Sequence, residues 1–194
     1  MGVHTMKAYC RRRFLVERAA ISPLRRAALS RRIGRRVMML SVFRSCRVLI
    51  AYAPFRGEVD CLPIVKAALR EKKIVAMPRI VPGRRLEFHR IGSPAELSPG
   101  AFGILEPPPC TATRIAGRRA DLTLVPAVAF SLTGQRLGYG GGYYDRFLRN
   151  RHGTALGLAF DEQLAADLPV GRDDERIDAL VTPRRFVFFG GSPE

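Results

Sequence analysis

The sequence is poor in residue types that particular protein classes need: it has no tryptophan, three scattered histidines and only 17 acidic residues. Its four cysteines are far apart and form no C-x-x-C pair, so we expect neither a zinc site nor a disulfide framework. The scattered histidines give no support to a mechanism that relies on a histidine base. No apolar run approaches the roughly 20 residues of a membrane-spanning helix. With 47% apolar residues among 194, the chain is typical of one globular domain with a substantial core.

Positive charge is abundant and unevenly distributed. The net charge is +16, and residues 1–36 contain ten arginines and Lys7 against a single acid, Glu17. A nucleic-acid-binding arm or an arginine-rich organelle transit peptide has such a composition. Apolar residues nevertheless recur at helical spacing through this segment, which favours two amphipathic helices with solvated arginine faces. Ser22 and Pro23 suit the N-cap and the first position of the second helix.

Short apolar segments alternate with amphipathic ones along the rest of the chain. The predicted strands are residues 47–53, 74–77, 85–91, 121–126, 155–159 and 179–182. The predicted helices are residues 6–20, 23–40, 59–71, 142–149 and 162–167, with a loop over 127–136. This alternation predicts an α/β fold: a largely parallel central sheet flanked by helices on both faces, in a single three-layer domain over residues 1–194, with the helical region of about 6–40 packed on it. Ligands of such sheets bind at the carboxyl ends of the strands.

The segment most informative about function runs from Arg136 to Arg146 and reads RLGYGGGYYDR. Its four glycines allow φ > 0, and successive N–H groups of such a loop form a concave site for an anion. The helix predicted directly after it adds its N-terminal dipole to that preference. Asp145 supplies a carboxylate, which Mg²⁺ prefers as a ligand. The string matches neither the P-loop nor the dinucleotide-binding fingerprint, and a flexible turn between a strand and a helix has a similar composition.

The whole pattern R-L-G-x-G-x-G-Y-Y-D-R resembles the signature of the 5-formyltetrahydrofolate cyclo-ligase family, also called 5,10-methenyltetrahydrofolate synthetases. Similar landmarks extend from Lys7 to about Pro183. The resemblance implies ATP- and Mg²⁺-dependent closure of 5-formyltetrahydrofolate to 5,10-methenyltetrahydrofolate, with release of ADP and phosphate. Phosphorylation makes the formyl oxygen a leaving group, and N10 then attacks the activated carbon. A protein assists such chemistry mainly by positioning and charge neutralisation.

The resemblance also implies which residues serve the ATP end of the site. Lys7 and Arg11 lie four positions apart on one face of the first helix and resemble a K-x-x-x-R element that faces the phosphates. The expected ATP-binding residues are Lys7, Arg11, Arg136, Leu137, Gly138, Tyr139, Gly140, Gly141, Gly142, Tyr143 and Tyr144. The expected catalytic residues are Arg136, Tyr143 and Asp145, and the expected Mg²⁺ ligands are Asp145 and Asp178.

Two positions depart from the family pattern. Gly141 stands where many members carry lysine, which removes one cation from the expected phosphate site. Ser131 follows Phe130 where an acid is common. Both departures bear on the fine geometry of the ATP site.

The folate end of the site has its own implied residues. The expected substrate-binding residues are Glu58, Arg79, Phe102, Glu106, Tyr139 and Tyr143. A carboxylate at Glu58 is suited to accept from the amino and ring N–H groups of a pterin, although an acid near a helix N-terminus also occurs for reasons of stability alone. Arg79 suits a phosphate or a folate carboxylate.

We expect 5-formyltetrahydrofolate, with one glutamate or several, and ATP to be the partners of a cytoplasmic monomer that contacts no membrane. Cleavage of a transit peptide would remove Lys7 and Arg11, which disfavours an organellar location. Nucleic acid is not an expected partner, because few aromatic residues lie among the N-terminal arginines to stack on bases. Two alternatives stay open: an arginine-rich protein that binds nucleic acid or the ribosome on an α/β scaffold, and a family paralogue that is idle or acts on another substrate.

Overall fold

The computed structural model describes residues 2–190. These residues form five α-helices: α1 (Val3–Ala19), α2 (Pro23–Met39), α3 (Ser41–Ser45), α4 (Leu62–Arg70) and α5 (Tyr143–Leu148). They form thirteen strands: β1 (Val48–Ile50), β2 (Ile74–Val81), β3 (Arg85–Ile91), β4 (Ser98–Pro99), β5 (Leu105–Glu106), β6 (Arg114–Ile115), β7 (Leu122–Val125), β8 (Ala129–Ser131), β9 (Arg136–Leu137), β10 (Thr154–Leu158), β11 (Leu164–Ala165), β12 (Ala179–Val181) and β13 (Phe186–Phe188). Short 3₁₀ turns lie at Pro94–Glu96, Ala101–Gly103, Thr111–Thr113, Gly117–Arg119 and Asp161–Gln163.

The central sheet has eight strands in the order β13-β12-β10-β7-β1-β2-β3-β6. Its five middle strands, from β12 to β2, run parallel, and β13, β3 and β6 add antiparallel edges. The parallel strands read as short continuous apolar runs because helices and loops cover both of their faces. The predicted α/β fold with a largely parallel sheet is therefore confirmed.

Alternate side chains of the strands pack on opposite sides of the sheet. Leu49 and Val75 belong to the larger core, which they share with Ile33 of α2 and Ile64 of α4. Ile50 and its neighbours on the other face pack against α5. Two helical layers thus enclose the sheet, and none of the helices in residues 2–190 is long and apolar enough to cross a membrane.

The two N-terminal helices form as their sequence predicts. The side chain of Ser22 accepts a hydrogen bond from the backbone N–H of Arg25 at 3.4 Å, and Pro23 takes the first helical position. Gly34 faces α4 closely, since a Cβ there would lie 3.6 Å from Ile64. The arginines of α2 remain on the outer face, while Ile33 is fully buried.

Two predicted segments differ in the structure. The predicted loop over residues 127–136 contains β8 and β9, which form a small second sheet with β11. The predicted helix over residues 162–167 is instead a 3₁₀ turn followed by β11. The two segments are joined in the structure: β11 pairs with β8, and the side-chain amide of Gln163 donates to the carbonyls of Ala127 and Val128 at 3.0 and 3.1 Å.

Candidate active site

A cavity of about 770 Å³ lies at the carboxyl ends of three neighbouring parallel strands, β1, β2 and β7. Residues 52 and 53 after β1, 78 and 80 in β2, and 126 and 127 after β7 form one side of it. The first turns of α1 and the segment 136–146 form much of the opposite side. A single cavity therefore receives both the N-terminal helix and the glycine-rich loop.

Most of the expected site residues line this cavity. They are Lys7, Arg11, Glu58, Phe102, Glu106, Arg136, Leu137, Gly138, Tyr139, Gly140, Gly141, Gly142, Tyr143, Tyr144 and Asp145. Arg79 and Asp178 are not among the lining residues.

The glycine-rich loop, residues 138–142, joins β9 to α5. Gly140 and Gly142 have φ of 100° and 70°, a region that strongly favours glycine. Arg11 anchors the loop to α1, because its Nε donates to the carbonyl of Gly138 at 2.8 Å. A Cβ at Gly141 would lie 2.6 Å from the ring of Tyr143. The ring thus occupies the space that the lysine side chain of other family members would have to enter.

Opposite charges are paired at this end of the cavity. Lys7 on α1 forms an ion pair with Asp174, which also accepts from the N–H of Gly171 at 2.7 Å. Arg136 on β9 forms an ion pair with Asp145 on α5. These side chains are mostly buried, and an anionic ligand that binds the cations would take the place of the carboxylates around them.

Arg136 and Tyr144 each have a buried polar atom without a hydrogen-bond partner in the described part of the chain. The Nε of Arg136 and the hydroxyl of Tyr144 are buried and lack a hydrogen-bond partner within residues 2–190. A buried polar atom without a partner is costly, so such atoms point to groups that a ligand satisfies. Burial also raises the pKa of Tyr144 far above its ordinary value, and its phenol stays protonated.

The structure does not bring Asp178 to the cavity. This residue immediately precedes β12 and lies at the amino-terminal edge of the parallel sheet, where it pairs with Arg151 and accepts from the N–H of Ala155 at 2.7 Å. The expectation that Asp178 binds Mg²⁺ beside Asp145 is therefore not met. Asp178 instead links the starts of β10 and β12. The carboxylates that line the cavity near Asp145 are Asp173 and Asp174, and Glu175 donates its backbone N–H to Asp145 at 3.3 Å.

Glu58 dominates the other end of the cavity. Only 7% of the residue is exposed, and its carboxylate accepts from the N–H of Phe55 at 3.1 Å. Burial raises the pKa of Glu58 to about 7, and the positive charge of Arg18 opposes that rise. Burial also raises the pKa values of the neighbouring Tyr52 and Cys61, which stay neutral. Glu58 is thus the group at this end whose charge changes near neutral pH.

Glu106 and Arg79 form a pair beside this end. Glu106 lines the cavity, accepts from the N–H of Ile80 at 3.2 Å and lies 3.4 Å from the guanidinium of Arg79. Arg79 also donates to the carbonyl of Pro107 at 2.9 Å, so it fastens the loop that follows β5 onto β2. The structure therefore gives Arg79 a contact with Glu106 rather than a place on the cavity wall.

Phe102 lies at the rim of the cavity. It is 73% exposed and has φ of 58°, an unusual backbone conformation for a phenylalanine. An exposed aromatic ring beside a cavity is suited to cover a flat ligand. Ile104 and Glu106 of the same segment also line the cavity.

Two residues of the site were not predicted from the sequence. Asp174 was indistinguishable from the acids next to it, and only the fold brings it to Lys7. Arg18 was one of ten N-terminal arginines, yet it is 1% exposed and donates to the hydroxyl of Tyr139. A signal for Arg18 did exist, since it follows Lys7 and Arg11 on the same face of α1 at intervals of four and seven residues.

The molecule is thus an α/β protein whose strand-end cavity joins a glycine-rich loop with paired cations to a buried carboxyl. The sequence model of the 5-formyltetrahydrofolate cyclo-ligase family matches residues 3–183. The chain therefore belongs to the 5-formyltetrahydrofolate cyclo-ligase family and is an enzyme of that family.

Individual relatives agree with this assignment. The chain is 32% identical over 173 residues to the 5-formyltetrahydrofolate cyclo-ligase of Escherichia coli strain K12, which covers 87% of this chain and 95% of the relative. It is 30% identical over 195 residues to the mitochondrial 5-formyltetrahydrofolate cyclo-ligase of Arabidopsis thaliana, over 87% of this chain and 70% of the relative.

Solved structures are similar over almost the whole chain. The 5,10-methenyltetrahydrofolate synthetase of Aquifex aeolicus superimposes with a TM-score of 0.86 at 36% identity, over 97% of this chain and 96% of its own. The 5,10-methenyltetrahydrofolate synthetase of Mycoplasma pneumoniae, at 21% identity and a TM-score of 0.73 over 91% of this chain and 98% of its own, shares the fold.

Proposed function

We propose that the protein closes 5-formyltetrahydrofolate to 5,10-methenyltetrahydrofolate at the expense of ATP, which is converted to ADP and phosphate. The observation that carries this proposal is the two-ended cavity, in which the glycine-rich loop and its cations face the same space as the buried carboxyl of Glu58. Such a cavity holds a phosphorylated donor and a pterin side by side, as a transfer between them requires.

The chemical difficulty lies in the formyl group. Its oxygen is a poor leaving group, so N10 of the folate cannot displace it directly. Transfer of the γ-phosphoryl group to this oxygen creates a good leaving group. N10 then attacks the formyl carbon and phosphate departs. No covalent intermediate with the protein is required, and the cavity residues act by positioning and by neutralising charge.

The cationic end suits the phosphates of ATP. Lys7 and Arg11 approach from α1, and Arg136 approaches from β9 with an unpartnered buried Nε. In this proposal Arg136 grips the transferred phosphoryl group, and residues 138–142 bind phosphate oxygens through backbone N–H groups. Tyr143 and Tyr144 close this part of the site, with the Tyr144 hydroxyl as a hydrogen-bond donor.

The carboxylates at this end suit one Mg²⁺ ion. No group of three or more His, Cys, Asp or Glu side chains that could hold a metal occurs among residues 2–190, so the protein offers few ligands of its own. Mg²⁺ typically takes one or two carboxylates, and phosphates and waters complete its shell. We propose that Asp145 and Asp174 hold it, because both carboxylates line the cavity. The ion would neutralise charge on the phosphates during transfer.

Glu58 and its surroundings suit the pterin. A carboxylate accepts hydrogen bonds from the amino and ring N–H groups of a pterin, and its buried position makes such bonds strong. Phe102, at the rim, covers the ligand, while Tyr139 projects from the glycine-rich loop between the two ends. Glu106 shapes the wall beside them.

The proposal is tested by mixing purified protein with 5-formyltetrahydrofolate, ATP and Mg²⁺ and following the absorbance of the methenyl product. The expected signal requires all three components and disappears in Asp145→Ala. Asp167→Ala, which removes an exposed aspartate outside the cavity, is the matched control and should retain activity. A flat trace from folded wild-type protein that still binds ATP would refute the proposed reaction.

A further inference from the structure

Arg18 is a buried cation whose hydrogen bonds go to neutral groups. Its guanidinium donates to the carbonyl of Ala127 at 3.2 Å and to the hydroxyl of Tyr139. Only 1% of the residue is exposed. A buried charge is tolerated when an opposite charge compensates it, so the identity of that charge matters.

The compensating group is Glu58, which comes from the loop after β1 while Arg18 comes from α1. Each is almost completely buried, and the charge of Arg18 is the main effect that favours an ionised Glu58 against its desolvation. Tyr139 lies near both: its hydroxyl accepts from Arg18, and its ring packs at 6.0 Å between centroids on Phe55, whose backbone N–H donates to Glu58. The three groups therefore form one electrostatic unit at the substrate end of the cavity.

The hydrogen bond from Arg18 also determines whether the Tyr139 hydroxyl donates to a ligand or accepts from it. A guanidinium only donates hydrogen bonds, so the Tyr139 oxygen must accept from it. The hydroxyl proton of Tyr139 then remains available for a ligand acceptor. We propose that Arg18 is a positioning residue that makes Tyr139 a hydrogen-bond donor towards the substrate and supplies the positive charge that partly compensates the Glu58 carboxylate beside it. This inference rests on the proposed function, in which a pterin with both acceptor and donor groups fills this end.

The other ionisable groups around Glu58 do not have the effect on its carboxyl that is proposed for Arg18. Tyr52 and Cys61 on its own side, and Tyr144 from α5, have pKa values raised by burial and stay neutral. Asp60 lies next to Cys61 but is exposed, and Arg56 acts on Tyr139. His4 is the imidazole of the cavity wall, so a His4→Gln background removes it.

The experiment measures the charge of Glu58 and substrate affinity separately. The ¹³C carboxyl signal of Glu58, identified by its absence in Glu58→Gln, is titrated in ligand-free protein between about pH 6 and pH 9. Its midpoint should rise in Arg18→Met, because only the hydrogen bond from the Phe55 N–H then opposes desolvation, and should return towards wild type in Arg18→Lys. Affinity for 5-formyltetrahydrofolate without ATP should fall about 10-fold or more in Arg18→Met. An unchanged midpoint in Arg18→Met, with a loss of thermal stability only, would overturn the inference.

Further variants keep the test decisive. Should Arg18→Met fail to fold, Arg18→Gln, which removes the charge but keeps a polar side chain, is combined with Tyr139→Phe. A double-mutant cycle on affinity should show strong coupling between the two changes, whereas additive losses would overturn the proposed link. Arg12→Met, an exposed arginine on the same helix, is the matched control and should leave midpoint and affinity unchanged. Absence of 5-formyltetrahydrofolate binding by wild-type protein would refute the proposed function, while the ligand-free titration would still decide the role of Arg18.

Discussion

The two ends of the cavity handle charge in opposite ways. At the phosphate end, cations and carboxylates form direct ion pairs, Lys7 with Asp174 and Arg136 with Asp145, beside a glycine-rich loop. At the substrate end, the buried carboxyl of Glu58 accepts one hydrogen bond from a backbone N–H. The positive charge of Arg18 acts on this carboxyl electrostatically.

This difference shows what each end is prepared to do. Ion pairs at the phosphate end can be exchanged for pairs with phosphate and a metal ion without exposing an uncompensated charge. The desolvated carboxyl of Glu58 accepts one backbone hydrogen bond, and in the proposed function a ligand with N–H donors adds further ones. Under that proposal one end exchanges charged ligands and the other recognises a neutral ring system.

The largest effect is expected at the phosphate end, from the loss of Arg136. Arg136→Met should lower kcat about 10³-fold, because the guanidinium stabilises charge that develops during phosphoryl transfer. Steady-state kinetics at saturating ATP measure the change. Arg118→Met removes an exposed arginine outside the cavity and should match wild type. A normal kcat in Arg136→Met would show that Arg136 does not bind the transferred phosphoryl group.

At the substrate end, Glu58→Gln should weaken 5-formyltetrahydrofolate binding by about 10- to 100-fold above pH 7, since a charged acceptor is lost. Wild-type affinity should rise with pH through about 7 as Glu58 ionises, and the variant should lack this rise. Calorimetric titrations over the pH range provide the measurement.

The same substitution has an opposite consequence for stability. Because the folded pKa of Glu58 is raised, its stabilising contribution is present below its ordinary pKa and is lost as pH rises through about 7. Between about pH 5 and pH 8 the free energy of unfolding of the wild type should therefore fall, relative to that of Glu58→Gln, by an amount on the order of 3 kcal/mol. Denaturant melts of both proteins at several pH values would reveal it. Parallel pH profiles of the two would contradict the buried, charge-sensitive environment.

A smaller effect separates Asp174, at the proposed Mg²⁺ site, from Asp178, which lies outside the cavity. Asp174→Asn should raise the Mg²⁺ concentration for half-maximal activity by about 10-fold. Asp178→Asn should leave that concentration unchanged and lower the stability by about 1–3 kcal/mol, because Asp178 pairs with Arg151 at the far edge of the sheet. Mg²⁺ titrations and thermal melts distinguish them, and the reverse pattern would restore Asp178 to the metal site.

The smallest effect is expected at the rim. Phe102→Ala should raise the KM for 5-formyltetrahydrofolate about 5-fold with little change in kcat, because the ring covers the ligand without touching the reacting atoms. Stability should change little, since the ring is exposed. Phe186→Ala, an exposed ring on the edge strand β13, is the control. A large loss of kcat in Phe102→Ala would mean that the rim also orders the phosphate end.

Much of this architecture was predictable because it depends on local patterns. The spacing of apolar residues in α2, together with Ser22 and Pro23, predicts its start at the residue where it begins. The bounds of β3 agree with the prediction as well. The segment 127–136 was harder, because β8 and β9 are short, β8 pairs with the distant strand β11, and Gln163, more than 25 positions away in the chain, bonds the two residues before β8.

Local sequence patterns were enough to predict the fold class and the family, because alternating apolar segments and a run of glycines before a short helix are readable without the tertiary structure. Tertiary structure alone decided which acids and cations belong to the site. Asp174 and Asp178 are similar in sequence context, yet one faces Lys7 across the cavity and the other faces Arg151 at the opposite edge of the sheet. Arg18 differs from its arginine neighbours only through burial. Desolvation and distance to other charges decide such roles, and both arise only when distant segments pack together.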